Sequence, residues 1–142
     1  MTNNVAADNH GADAAAGEQP GRRLTIGLLG HSFSSGNLGI QALTVCNLAI
    51  ARAVAAELGV RPRFIAFVMR DNNQWVIDDP DVELFPMDRR SILDRHGYWS
   101  KLKAVDCVLD IGAGDSFTDI YGAKRFGNLW LTKMMAHARR KP

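Results

Sequence analysis

The sequence predicts an α/β protein whose parallel sheet is covered by helices on both faces. Three observations predict it. Short apolar runs at 24–29, 63–69 and 105–111 have the composition of strands buried on both sides. Stretches with helical spacing of apolar residues lie between them. Polar, glycine-rich loops follow the first and last of these runs, as they do where parallel sheets carry ligands. Strand–helix alternation of this kind builds a doubly wound sheet through right-handed βαβ crossovers.

Residues 1–22 read as a disordered tail and 23–142 as the folded domain. The tail is rich in Ala, Asn, Asp and Gly, and cannot bury enough apolar surface to offset its ordering entropy. The first strand spans 24–29 and stops at Gly30. A helix over 40–58 shows Ile40, Leu43, Cys46, Ile50, Val54 and Leu58 as its recurring apolar positions; Gly59 and Pro62 end it. The second strand covers 63–69 and a short third covers 82–85, stopped by Pro86. Asp88 caps a helical stretch reaching Leu93 and broken near Gly97, with further turns over 99–104. The fourth strand is 105–111, and a last helix runs over 124–139.

The chain has 142 residues, a net charge of +2, 46% apolar and 23% charged residues. That is one ordinary globular domain, without the basic stripe of a nucleic-acid binder. Cys46 and Cys107 stand far apart in apolar segments, outside any CxxC spacing, and read as free core thiols of a reducing, cytoplasmic compartment. No unbroken apolar run approaches the roughly 18–20 residues of a membrane span. Arg22-Arg23 before an apolar run resembles an export signal, but the run ends after seven residues, so a first strand explains it better.

Chemistry concentrates in the two loops. The first carries Ser32, Ser34, Ser35, Gly36, Asn37 and Gly39 ahead of a helix N-terminus, where unpaired N–H groups and the helix dipole suit an anion or sugar hydroxyls. Equally, Ser35 or Asn37 simply caps that helix. Asn37 follows Gly36 where a phosphate-binding P-loop needs Lys. The second loop, Gly112-Ala-Gly-Asp-Ser-Phe-Thr-Asp119, combines glycines that admit close backbone approach with carboxylates able to move protons. Asp110, inside the strand, reads as structural. His31 is the most site-like histidine, and Trp75 beside 71–73 is either a packing group or a sugar-stacking wall.

Two families share these motifs. Gly112-Ala-Gly-Asp115 resembles the GAGD loop of ribokinase-type sugar kinases, although Asp110 stands two residues before the first glycine instead of three. More of the chain resembles polysaccharide pyruvyl transferases. Their opening loop runs roughly G-x-x-x-x-x-N-x-G-D-E-A-L, matched over residues 30–43, and a strand ending in GGG-x-x-F-x-D is matched over 105–119. Asn37, Gly39, Ala42, Gly112, Gly114, Phe117 and Asp119 fall on the shared positions; Ile40-Gln41 replaces the acidic pair.

This resemblance implies the Rossmann-like N-terminal lobe of a two-lobed, glycosyltransferase-B-like protein, with the chain truncated before its second lobe. It implies transfer of a pyruvyl group from phosphoenolpyruvate to a hexose of a cell-surface or extracellular polysaccharide. The donor's methylene carbon is protonated, a sugar hydroxyl attacks the neighbouring carbon, phosphate leaves, and a second hydroxyl closes the ketal. Asp119 and Asp115 are then the candidate catalytic residues. Ser32, Ser35, Gly36, Asn37, Gly39, Gly112, Gly114 and Ser116 are the candidates for binding substrate. No metal or cofactor is expected beyond phosphoenolpyruvate as donor substrate. The partners are that donor and a saccharide, with no nucleic acid, no membrane span and self-association left open. A sugar kinase and a non-catalytic Rossmann-like binding module remain the alternatives.

Overall fold

The computed structural model describes residues 22–34, 37–69, 77–112 and 122–142. The expected tail, except Arg22, lies outside them. Four strands, β1 (Arg23–Leu29), β2 (Arg61–Met69), β3 (Val82–Met87) and β4 (Cys107–Asp110), form one sheet. All neighbours are parallel, in the order β3-β2-β1-β4. Helix α1 (Leu38–Glu57) joins β1 to β2. Two short helices, α2 (Arg89–Leu93) and α3 (Tyr98–Lys101), lead through a 3-10 turn (Leu102–Ala104) to β4, and α4 (Ala123–Ala138) follows. The fold is α/β and Rossmann-like: its strand order is that of the first four strands of a dinucleotide-binding sheet.

The strands alternate their side chains between two cores. Ile26, Leu28, Phe64, Ala66 and Val68 meet Leu48 of α1 and Phe33 on one face. Leu29, Ile65, Phe67 and Met87 meet Ile92, Tyr98, Leu102, Val105 and Ala136 on the other. The β1-to-β2 and β3-to-β4 connections cross the sheet in opposite directions, so right-handed crossovers deliver their helices to opposite faces. Gly27 lets the second core close. A Cβ there would sit 3.0 Å from a Val105 methyl and 3.1 Å from the Phe67 ring.

Several boundaries differ from expectation, each for a physical reason. Pro62 lies inside β2 instead of before it. Arg61 N–H bonds towards β1 and Phe64 N–H towards Asp81 beside β3, so the alternation aims Pro62 nitrogen at the β3 side before that ladder begins. Pro86 likewise lies within β3. The same alternation turns its nitrogen to the open edge, where no donor is required. Strand β4 is shorter than the apolar run, because Val105 leaves the 3-10 turn and packs under Gly27. On its outer side Val108 N–H donates to the Pro142 carbonyl at 2.7 Å.

Helix α1 presents an unexpected face. Thr44, Leu48 and Ala55 are buried, whereas Leu43, Cys46, Ile50, Val54 and Leu58 are exposed. The helix is apolar nearly all round, so spacing marks a helix without marking its inner side. Among described helices it is long and apolar enough, by length and composition, to cross a membrane. Cys46 is therefore not a core thiol, and Cys107 is half-buried, its thiol pushed up by burial and by Asp106.

Candidate functional site

The chain reverses direction across the sheet between β1 and β4. Their ends are in register, with Leu29 opposite Asp110, and Ile111 N–H donates to the Leu29 carbonyl at 3.2 Å. Both loops thus leave the same edge from adjacent strands, at the switch point where open α/β sheets place ligands. Each begins at a glycine in the left-handed region, Gly30 at φ 71° and Gly112 at φ 66°. Such a turn lifts the backbone sharply off the sheet and favours glycine.

The first loop is pinned from beneath. Thr44, with no exposed surface, accepts from Ser32 N–H at 3.0 Å and donates to the Ile40 carbonyl at 2.8 Å. The Ser32 hydroxyl lies 3.4 Å from the Ser34 carbonyl. The Gln41 amide also donates to that carbonyl, which a carboxylate could not do. Gln41 thus has a local structural use.

Asn37 is the N-cap of α1, its side-chain oxygen accepting from Gly39 N–H at 3.0 Å and Ile40 N–H at 3.2 Å. Those two amides are hydrogen-bonded within the cap. His31 was weighed from its place at the strand end, and the structure buries it there. Its Nδ1 is 3.0 Å from the Leu29 carbonyl. Burial pushes the imidazole below the ordinary histidine range, partly opposed by the Leu29 hydrogen bond and the Asp110 charge.

On β4, Asp110 accepts from Gly112 N–H at 2.7 Å and pairs with Lys133 of α4 at 2.8 Å. It braces the turn and ties α4 to the sheet. Nothing local in the sequence relates Lys133 to a strand end 23 positions earlier, so only the fold brings the pair together. Tyr98, whose hydroxyl donates to the Thr132 carbonyl at 3.0 Å, is held above the ordinary phenol range by burial and then by Asp110.

Of the expected site residues, Ser32, Asn37, Gly39 and Gly112 are brought to this edge. Ser35, Gly36, Gly114, Asp115, Ser116 and Asp119, like Trp75, lie outside the described residues. Among the described residues no group of His, Cys, Asp or Glu could hold a metal ion. Comparison with family models, curated proteins and solved structures finds no match to the chain.

Proposed function

We propose that the chain is the N-terminal lobe of a polysaccharide pyruvyl transferase of glycosyltransferase-B type. In this reading it is a cytoplasmic enzyme that moves the pyruvyl group of phosphoenolpyruvate onto a hexose as a ketal and needs no cofactor. One observation carries the reading. The two segments that resemble the family, far apart in sequence, leave adjacent strand ends at a switch point, where open α/β sheets bind ligands.

The chemistry assigns the residues their work. A hydroxyl nucleophile and a protonated methylene carbon require acid–base groups, which Asp119 and Asp115 provide in this reading. The donor's phosphate and carboxylate need converging cations. Among the described residues Lys133 is already paired with Asp110; in this reading a second lobe supplies the donor cage.

The test is pyruvyl transfer to oligosaccharides by the full-length protein. Asp119→Asn should lower turnover at least about a hundredfold, the scale of acid–base catalysis, with an unchanged circular dichroism spectrum. Asp115→Asn should cost less. ATP-dependent sugar phosphorylation abolished by Asp115→Asn would replace this reading with the kinase.

A further inference from the structure

The outer face of α1 is apolar almost from end to end, where a helix on a protein surface ordinarily turns charge to solvent. Thr44, Leu48 and Ala55 are buried against the sheet. Cys46, Ile50 and Ala53 lie on the opposite side and are exposed. Leu38, Leu43, Val45, Ile50 and Val54 are 48–82% exposed. By those fractions they present roughly 500 Å² of apolar surface, and the exposed Ala42, Cys46, Ala49 and Ala53 between them bring it to about 700 Å², inside the roughly 600–1,000 Å² that each side of a stable pair buries.

Pattern and charge name the occupant. Leu43 and Ile50, Cys46 and Ala53, and Ala42, Ala49 and Ala56 each recur at seven-residue intervals, the period at which two helices pack along their length. A lipid surface fits less well. Helices that lie on one carry Lys and Arg beside the apolar face, whereas the single basic residue of α1, Arg52, is held by Asp79 and Asp81. Glu57, exposed at the far end, is the one acidic residue of the helix, and it sets the direction. A parallel pair would bring two Glu57 carboxylates together. An antiparallel pair sets each beside Leu38 of the partner subunit, at a helix N-terminus with no acidic residue in its own first turn, where a carboxylate is favoured. We propose that two copies of this chain associate through α1, antiparallel about a two-fold axis near its middle, between Asn47 and Leu48. The inference stands apart from the transferase reading and needs none of its site residues.

Sedimentation equilibrium of the 142-residue chain should give a dimer. Ile50→Asp and Ala53→Glu, both outward-facing changes, should each weaken association at least about a hundredfold, because a two-fold interface carries every substitution twice. Their circular dichroism spectra should match wild type. Leu93→Asp, which removes an apolar side chain equally exposed but on the other side of the sheet, should leave association unchanged. Orientation is read from disulfides in a Cys46→Ala background. Chains carrying Ala42→Cys, mixed with chains carrying Ala53→Cys, should oxidise to a 42–53 cross-link, because those positions face each other across the axis. Like positions lie about 16 Å apart along the helices, beyond the reach of a disulfide.

A wild-type chain that stays monomeric at sub-millimolar concentration would overturn the proposal. A dimer unaffected by both charged substitutions would overturn it too, as would 42–42 and 53–53 disulfides, which mean a parallel pair. Binding of a monomeric chain to neutral phosphatidylcholine vesicles, lost in Ile50→Asp, would give the face to a lipid surface instead.

Discussion

Gly97 and Gly127 show how differently the same residue can be used. A Cβ at Gly97 would lie 2.0 Å from the Ser91 carbonyl oxygen, because the chain doubles back there between α2 and α3. Gly97→Ala should cost about 1–3 kcal/mol, as overpacking against backbone does. Gly127, inside α4, has nothing within 4 Å of the same added atom. Gly127→Ala should stabilise by about 0.5–1 kcal/mol by lowering the entropy of the unfolded chain. Urea midpoints of the two variants check both signs. The break at Gly97 was legible in the sequence; its cause, a carbonyl six residues away, was not.

At the scale of elements, α1 depends on its first turn. Asn37→Ala removes the acceptor shared by two amides and should destabilise the chain by about 1 kcal/mol. Hydrogen exchange should quicken in the first turn and remain slow near Leu48, which the core protects. Asn37 was read either as cap or as ligand contact, and local spacing could not choose between them. The structure shows the cap. The capping box of α2 was half legible. Asp88 was expected as the cap, accepting from Ser91 N–H at 2.7 Å, and the Ser91 hydroxyl completes the box by accepting from Asp88 N–H at 2.8 Å.

For the whole molecule, acid should act in two stages. His31 is held below its ordinary value near 6.5 chiefly by burial; Asp110, itself paired with Lys133, faces it. The unfolded chain therefore takes up a proton that the folded chain refuses, and stability should fall as pH drops below about 6.5. Asp79 is held below the carboxylate range by the Arg52 hydrogen bond joining α1 to the β2–β3 connection, at 2.7 Å. Its contribution is full above about pH 4 and is lost as pH falls through its lowered value. Denaturant midpoints measured against pH should show both slopes, and His31→Leu should flatten the first alone.

Local pattern determined the element types and their order, because strand burial and helix periodicity are written in neighbouring residues. Apolar runs marked β1, β2 and β4, Gly30 and Gly59 marked stops and Asp88 a start, whereas Pro62 and Pro86, read as stops, lie inside strands. The tertiary structure decided which strands are neighbours, since hydrogen bonds between β1 and β4 join residues about 80 positions apart. It also decided which side of α1 faces the sheet, because a helix apolar on all sides has no preferred face until a partner covers one. The meaning of His31 was decided there as well. A histidine beside a strand end is ambiguous in sequence, and only packing could fix Nδ1 on Leu29 and leave Nε2 with no hydrogen-bond partner among the described residues.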